Sequence, residues 1–238
     1  MPGSIQCLSR AAAVLRLFAT GKGRYGLSDT ASALGLPKGT VHGILRTLRQ
    51  EGLVEHDTES GTYGLGPELV RLGGAWLRTH ELPERALARA GDLARVTGEA
   101  VRVGVPHPSG VLIVHHVLRR DSTRQAQETG QLVPVEGTAL GTVLAAHVPA
   151  MSDTAALPAD LLRVARERGW ASAPDRVRDG MVSLAAPVHD RRRVTVAAVS
   201  VSALAARVRE STTVRDRLVS SVRDCARAIS RDLGATCR

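Results

Sequence analysis

Apolar residues at Ile5, Leu8, Ala12, Leu15 and Phe18 recur at the spacing of one helical face. The helix they predict runs over residues 5–19 with that face buried, and GKGRYG breaks it. LSDTASALG follows as a short helix, with Ser28 or Asp29 placed to cap its start and Gly35 to end it. Pro37 suits the first turn of a third helix. That helix buries Val41, Ile44, Leu45 and Leu48, and Gly52 stops it. LVEHDTESGTYGL then reads as two short strands around a polar turn, a hairpin with Gly61 near its tip. Three short helices and a hairpin in this order predict a winged helix-turn-helix, GLPKG being the turn.

The next stretch, residues 67–98, is helical at both ends, with Gly73, Gly74 and Pro83 as punctuation. It reads as a linker helix leading into the first helix of a second domain. From Glu99 the period changes. AVRVGVPHPSGVLIVHHVL is a hairpin of two β-branched runs, and MVSLAAPVHDRRRVTVAAVSVSAL is a second one turning at HDRRR. Between them VEGTALGTVLAAHV and LPADLLRVARERG read as helices. The chain closes on an amphipathic helix with Val214, Leu218, Val222, Cys225, Ile229 and Leu233 on one face. Hairpins flanked by helices, without crossovers, argue an α+β fold around an antiparallel sheet. The organisation expected is a winged helix over 1–66, a linker helix over 67–82 and a sensor domain over 83–238.

Composition changes this picture only at the edges. No apolar run approaches the roughly 18 residues of a membrane helix, and the amino terminus is too polar, then too amphipathic, for a signal peptide. Cys7, Cys225 and Cys237 are dispersed, without zinc spacing, and fit free thiols in a reducing cytosol. A formal charge of +9 suggests a polyanionic partner. It becomes informative only by placement, since the arginines of RDRLVSSVRDCARAISRDL alternate with Asp as on a solvated helix face.

Placement is specific in LPKGTVHGILRTLRQEGLVEHD. A recognition helix presents its first turns to base edges in the major groove. Burying Val41, Ile44, Leu45 and Leu48 leaves Lys38, Gly39, Thr40, His42, Gly43 and Arg46 available to DNA, with Ser28 on the preceding helix. Lys and Arg pair with guanine acceptors or phosphates, and Thr touches a thymine methyl. Each glycine costs a helix roughly 0.8–1.0 kcal/mol against alanine. Gly39 and Gly43 share one face, where a missing side chain lets the helix backbone approach the nucleic acid. The alternative is that they are a tolerated weakness on a solvent face.

GLSDTASALGLPKGTVHGILRTLRQEGLVEHDTESGTYGLG resembles the IclR family of bacterial transcription regulators. The resemblance continues through ALARAGDLARVTGEAV, VPVEGTALGTVLAA, ERGW and LAAPVHD, so it covers nearly the whole chain. The two glycines, GVLIVHHV and the arginine-rich end are similar to the branch that regulates glycerol operons. The resemblance implies a GAF-like effector-binding domain, homodimers or tetramers made of two such dimers, and pseudo-palindromic double-stranded operator DNA. No metal or cofactor is implied.

It also implies effector contacts at Ala139, Leu140, Ser183, Ser200 and Ser202. Ser200 and Ser202 are two apart in a strand and so face one way. Ala139 and Leu140 open a helix, whose free N–H groups suit an anion. Two departures from the family pattern, Glu136 for a common His and Thr142 for a common Lys, remove positive charge. The effector expected is a glycerol-related polyol or its phosphate. The departures predict weak binding of glycerol 3-phosphate and point to an altered pocket, to a neutral polyol, or to a pocket that no longer responds.

Two other classes compete. One is a GAF-type binding protein without an effector response. The other is a hydrolase using Ser183 or Ser200 with His189. Tandem His115 and His116 point to opposite faces of a strand and cannot share an ion. His80, His107, His147 and His189 lack ligand spacing. No GxSxG, phosphate loop or GxGxxG is present.

Overall fold

The helical periods at the start of the chain become α1 (Gln6–Thr20), α2 (Leu27–Leu34) and α3 (Lys38–Gln50). The computed structural model describes residues 5–79, 81–119, 126–153, 156–175 and 180–236. The chain divides into two units, Met1–Thr79 and His80–Arg238.

In the first unit, Val14, Phe18, Ala31, Val41, Leu45, Leu48 and Val54 form one core, with Ile44 packed against it. The spacing predicts Ile5 and Leu8 on the buried face of α1, but they are 63% and 64% exposed, and the buried core residues of α1 lie further along, at Val14 and Phe18. Neither Ser28 nor Asp29 caps α2. Its N-cap is Gly26, without a side-chain cap bond, and Thr30 donates to the Gly26 carbonyl at 2.8 Å. The cause is β1 (Arg24–Gly26), a three-residue strand too short to show a period. Its pairing with β3 (Thr62–Leu65) holds Gly26 extended and so fixes where the helix begins. β2 (Val54–Asp57) pairs with β3 from the other side. Gly35 ends α2 in the left-handed conformation at φ 62°, where any other residue would be strained. Pro37 then stands just outside α3, as its N-cap.

α4 (Glu68–Thr79) runs straight through Gly73 and Gly74, so these do not punctuate it. α5 (Glu81–Thr97) carries Pro83 in its first turn, where a missing N–H costs nothing. His80 lies outside the described residues.

The second unit is a six-stranded antiparallel sheet in the order β6-β5-β4-β9-β8-β7. Its strands are β4 (Ala100–His107), β5 (Gly110–Val117), β6 (Leu132–Val133), β7 (Ala171–Pro174), β8 (Met181–His189) and β9 (Thr195–Leu204). β6 and β7 are short edge strands without a sequence signal. Both faces are covered, which is why β8 and β9 read as continuous small and apolar runs. α5, α9 (Ala205–Glu210) and α10 (Thr212–Asp232) pack on the face carrying Ala186, Val199 and Val201. α6 (Ala139–His147), α7 (Pro149–Ser152) and α8 (Ala159–Arg168) pack on the face carrying Ala185 and Ala198. Cys225 sits under α5, where burial pushes its thiol up to about 12.

α6 lies very close to the segment before it. A Cβ on Gly141 would stand 2.1 Å from the Val135 carbonyl oxygen, a backbone atom with no rotamer to yield. Gly141→Ala is therefore expected to destabilise the second unit by about 1–3 kcal/mol, although alanine is the better helix former. Urea unfolding measures this, and an unchanged midpoint would mean that the segment shifts freely.

Candidate functional site

Successive residues of an α-helix advance by about 100°. On α3 this places Gly39 and Gly43 opposite the buried Val41, Leu45 and Leu48 stripe. A Cβ added at either glycine meets nothing within 4 Å, so both look into open space. Lys38, His42 and Arg46 follow one edge of this bare face, all exposed. None of the three has a hydrogen-bond or ion-pair partner among the described residues. Thr40 lies on the other flank, half-buried in a groove of about 440 Å³ with Gly39, Gly43 and Thr47, walled by Cys7, Leu8 and Ala11 of α1. Ser28 is exposed in the first turn of α2.

The wing is acidic by contrast. Its strand β2 carries Glu55 and Asp57, and Glu59 sits in the turn. Asp57 accepts from the Ser60 hydroxyl at 2.6 Å and from the Glu59 N–H at 3.0 Å, and these bonds hold its carboxyl below the usual range. They shape the turn and bring no positive charge to it. Lys38, His42 and Arg46 of α3 are exposed without side-chain partners among the described residues, as is Lys22 just before β1.

If the bare face serves close approach, Gly43→Ala raises stability by up to about 1 kcal/mol and weakens DNA binding. Thermal unfolding and a mobility-shift titration on one sample measure both. A variant that is more stable and binds as tightly would make the glycines a tolerated weakness.

In the second unit, Ala139, Leu140, Ser183 and Ser200 line one small cavity of about 30 Å³ on the α6 side of the sheet. Arg102, Glu128 and Asp175, which the sequence did not point to, line it too. Ser202 is fully buried beside them, opposite Ser183 in the β8–β9 register. Arg102 donates to Glu128 Oε1 at 3.0 Å, to Asp175 Oδ2 at 3.1 Å and to Ser202 Oγ at 2.5 Å. Ser202 Oγ lies 2.7 Å from Ser183 Oγ, and Ser183 donates to Asp175 at 3.4 Å. That order leaves Ser202 donating to Ser183. Burial alone would push the Arg102 pKa down; the Glu128 hydrogen bond and the Asp175 and Glu128 charges hold it above the ordinary value. Ser200 Oγ, in contrast, is buried with no hydrogen-bond partner among the described residues.

Arg102 did leave a trace in the sequence, as a charge inside the buried run AVRVGV, where it must be paired. Glu128 and Asp175 lie in loops and leave none. A bulge between Val103 and Gly104 also breaks the two-residue period, so that His116 pairs with Arg102 while Ile113 pairs with Gly104. His116 is buried and His115 half-buried.

The two departures from the family pattern lie elsewhere. Glu136 lines a separate groove with His107 and Met151 and accepts the Ala156 N–H at 3.1 Å. Thr142 is buried inside α6 and donates to the Thr138 carbonyl at 2.9 Å. Neither lines the inner cavity, so the charge argument built on them falls. The Ser/His pairing fails as well, because His189 lines a cleft on the α10 side whereas Ser183 and Ser200 line the cavity on the α6 side.

A winged helix with an exposed basic recognition helix, on one chain with a sheet domain enclosing a polar cavity, is the build of a ligand-responsive transcription regulator. The chain belongs to the IclR family of bacterial transcriptional regulators. Residues 7–58 match the IclR helix-turn-helix domain and residues 74–231 match the bacterial transcriptional regulator IclR C-terminal domain. Over 99% of this chain and 99% of the relative, it is 51% identical to the glycerol operon regulatory protein of Streptomyces coelicolor. The protein of that name from Streptomyces griseus is 49% identical over the same shares. An IclR transcriptional regulator from Alicyclobacillus acidocaldarius superposes with a TM-score of 0.81 at 25% identity, covering 98% of this chain and 100% of that one. Among the described residues, no helix is long and apolar enough to cross a membrane.

Proposed function

We propose that this protein regulates glycerol-related genes in the cytosol by binding operator DNA as a homodimer, or a pair of dimers, whose affinity a small polyol sets. Residues 1–66 read DNA, 83–238 sense the ligand, and 67–82 provide the covalent route between them. The names of the Streptomyces relatives support the glycerol link. Ser28, Lys38, Gly39, Thr40, His42, Gly43 and Arg46 form the reading face in this proposal. Ile5, Leu8, Val70 and Leu72 are exposed apolar side chains of the first unit, and a second copy of the chain would cover them. Two reading heads held together double the base contacts and set the half-site spacing.

The effector reading rests on Ser200, a buried hydroxyl without a partner in a cavity otherwise lined by paired groups. At about 30 Å³ that cavity is far below the roughly 300–1,000 Å³ of ligand sites, so an effector must open it by moving Glu128 or Asp175 off Arg102. A neutral polyol can replace those bonds, donating to the carboxylates and accepting from the guanidinium. A phosphate must displace two carboxylates from one arginine. The sensor acts on DNA only through a ligand that favours one arrangement of the reading heads.

A mobility-shift titration on upstream intergenic DNA, with and without glycerol, tests this. Glycerol is expected to change affinity about 5- to 150-fold, the range of ordinary allosteric coupling. Ser200→Ala is expected to keep operator affinity and lose that change. An equal glycerol response in the variant places the effector elsewhere.

A further inference from the structure

The sheet has a second concavity on the face away from the inner cavity. An open cleft of about 420 Å³ lies between the end of the β8–β9 hairpin and the last turns of α10, lined by Ala186, His189, Arg193, Arg223, Arg227 and Ser230. Neighbouring residues of a strand point to opposite faces. Thus β8 sends Ser183 into the cavity and Ala186 onto the cleft floor.

The three arginines are not equivalent. Arg227 pairs with Asp224 at 2.5 Å. The side chains of Arg193 and Arg223 have no ion-pair or hydrogen-bond partner among the described residues, although both line the same concavity. The alternation of Arg with Asp along α10 predicted a solvated helix face; Arg215 and Arg227 pair with acids of that face, and Arg223 is the unpaired arginine of α10 that lines the cleft.

Arg193 is also held in a conformation that does not suit it. At φ 62° it is the one non-glycine residue with positive φ among the described residues. The turn fixes it there: its N–H donates to the Asp190 carbonyl at 2.9 Å, and Asp190 Oδ1 accepts the N–H groups of Arg192 and Val194 at 2.8 and 2.9 Å. Glycine would adopt this backbone without strain. A side chain kept at such a position points to a use for it.

His189 adds a neutral polar edge. Its Nδ1 lies 3.1 Å from Thr195 Oγ1, and its ring meets that of His147 edge-on at 6.0 Å. Burial, then the charges of His147 and Arg193, lower its pKa against the opposing pull of Asp190. The floor at Ala186 is small and apolar, with room for a carbon skeleton. Two unopposed guanidinium forks over such a floor match a doubly charged oxyanion, which each fork can bind through two parallel N–H bonds.

We propose that this cleft is a second ligand site, for a small metabolite bearing a phosphate monoester, distinct from the inner cavity. It does not depend on the polyol reading of that cavity. The inner cavity has one arginine facing two carboxylates; the cleft has the reverse balance. A polyol and its phosphate would thus be sensed on opposite faces of one sheet.

The test is calorimetric titration of the full-length protein with glycerol 3-phosphate at low ionic strength. Inorganic phosphate is expected to compete, and sulfate-free buffer is needed. Arg193→Gly and Arg223→Gln are each expected to weaken binding at least about tenfold, as loss of a charge-assisted contact does. Arg193→Gly is expected to keep or raise the thermal midpoint, since it relieves the backbone, and this separates lost binding from lost fold. Arg215→Gln removes the same charge from the exposed start of α10, outside the cleft, and is expected to leave binding unchanged. The proposal is overturned if the unmodified protein takes up no glycerol 3-phosphate. It is overturned equally if the cleft variants bind as tightly as the unmodified protein, or if Arg215→Gln weakens binding as much as they do.

Discussion

Arg102→Ala is expected to cost the second unit about 3–5 kcal/mol, the usual penalty for breaking a buried ion pair by removing one partner. The side chains of Arg102, Glu128 and Asp175 are 6%, 3% and 5% exposed, so no solvent stands by to replace the guanidinium. Its loss takes the Arg102 bonds from two buried carboxylates and a donor from Ser202. The sheet supports this loss poorly, because β4 sits centrally between β5 and β9. Arg102→Lys is expected to lose less, since it keeps the charge but cannot hold Glu128 through two N–H bonds. Urea unfolding followed by circular dichroism gives the comparison. A stable Arg102→Ala protein that still answers to glycerol would mean that the network neither holds the fold nor closes the cavity.

Arg46→Ala and Lys38→Ala are expected to act on DNA alone. Both side chains are exposed and take part in no bond among the described residues, so stability is expected to stay within about 0.5 kcal/mol of the unmodified protein. A residue that meets a base edge is expected to cost about 1–3 kcal/mol per reading head and to relax specificity at one position. A residue that meets a phosphate weakens all sequences alike and lowers the salt slope by about one. Titrating operator and unrelated DNA at several salt concentrations assigns each residue to one of these roles. If both residues meet phosphates, the double variant is expected to lower the salt slope by about two. Operator binding at the unmodified level by both single variants would put the reading face elsewhere on the unit.

Local pattern alone determined the helices of the reading head, the two long hairpins and the closing helix. Their periods of 3.6 and 2 follow from which residues meet the core, and that information is written in neighbouring positions. The same pattern placed Lys38, His42 and Arg46 beside two glycines on an outward face, since a helix wheel needs no tertiary knowledge. It brought Ser183, Ser200 and Ser202 to attention only through resemblance to a family, because a serine in a small-residue strand has no chemistry of its own. Tertiary structure decided the rest. β1 starts α2 through pairing with a strand 40 positions away in register, Arg24 with Gly64, and no local signal reports that. Glu128 and Asp175 reach Arg102 from loops 26 and 73 residues distant, so the charge of the cavity was illegible along the chain. Glu136 and Thr142, near in sequence to the cavity-lining Ala139, do not line that cavity. Which charges are paired, and which cavity a side chain enters, depends on contacts between distant segments, and those exist only once the sheet has formed.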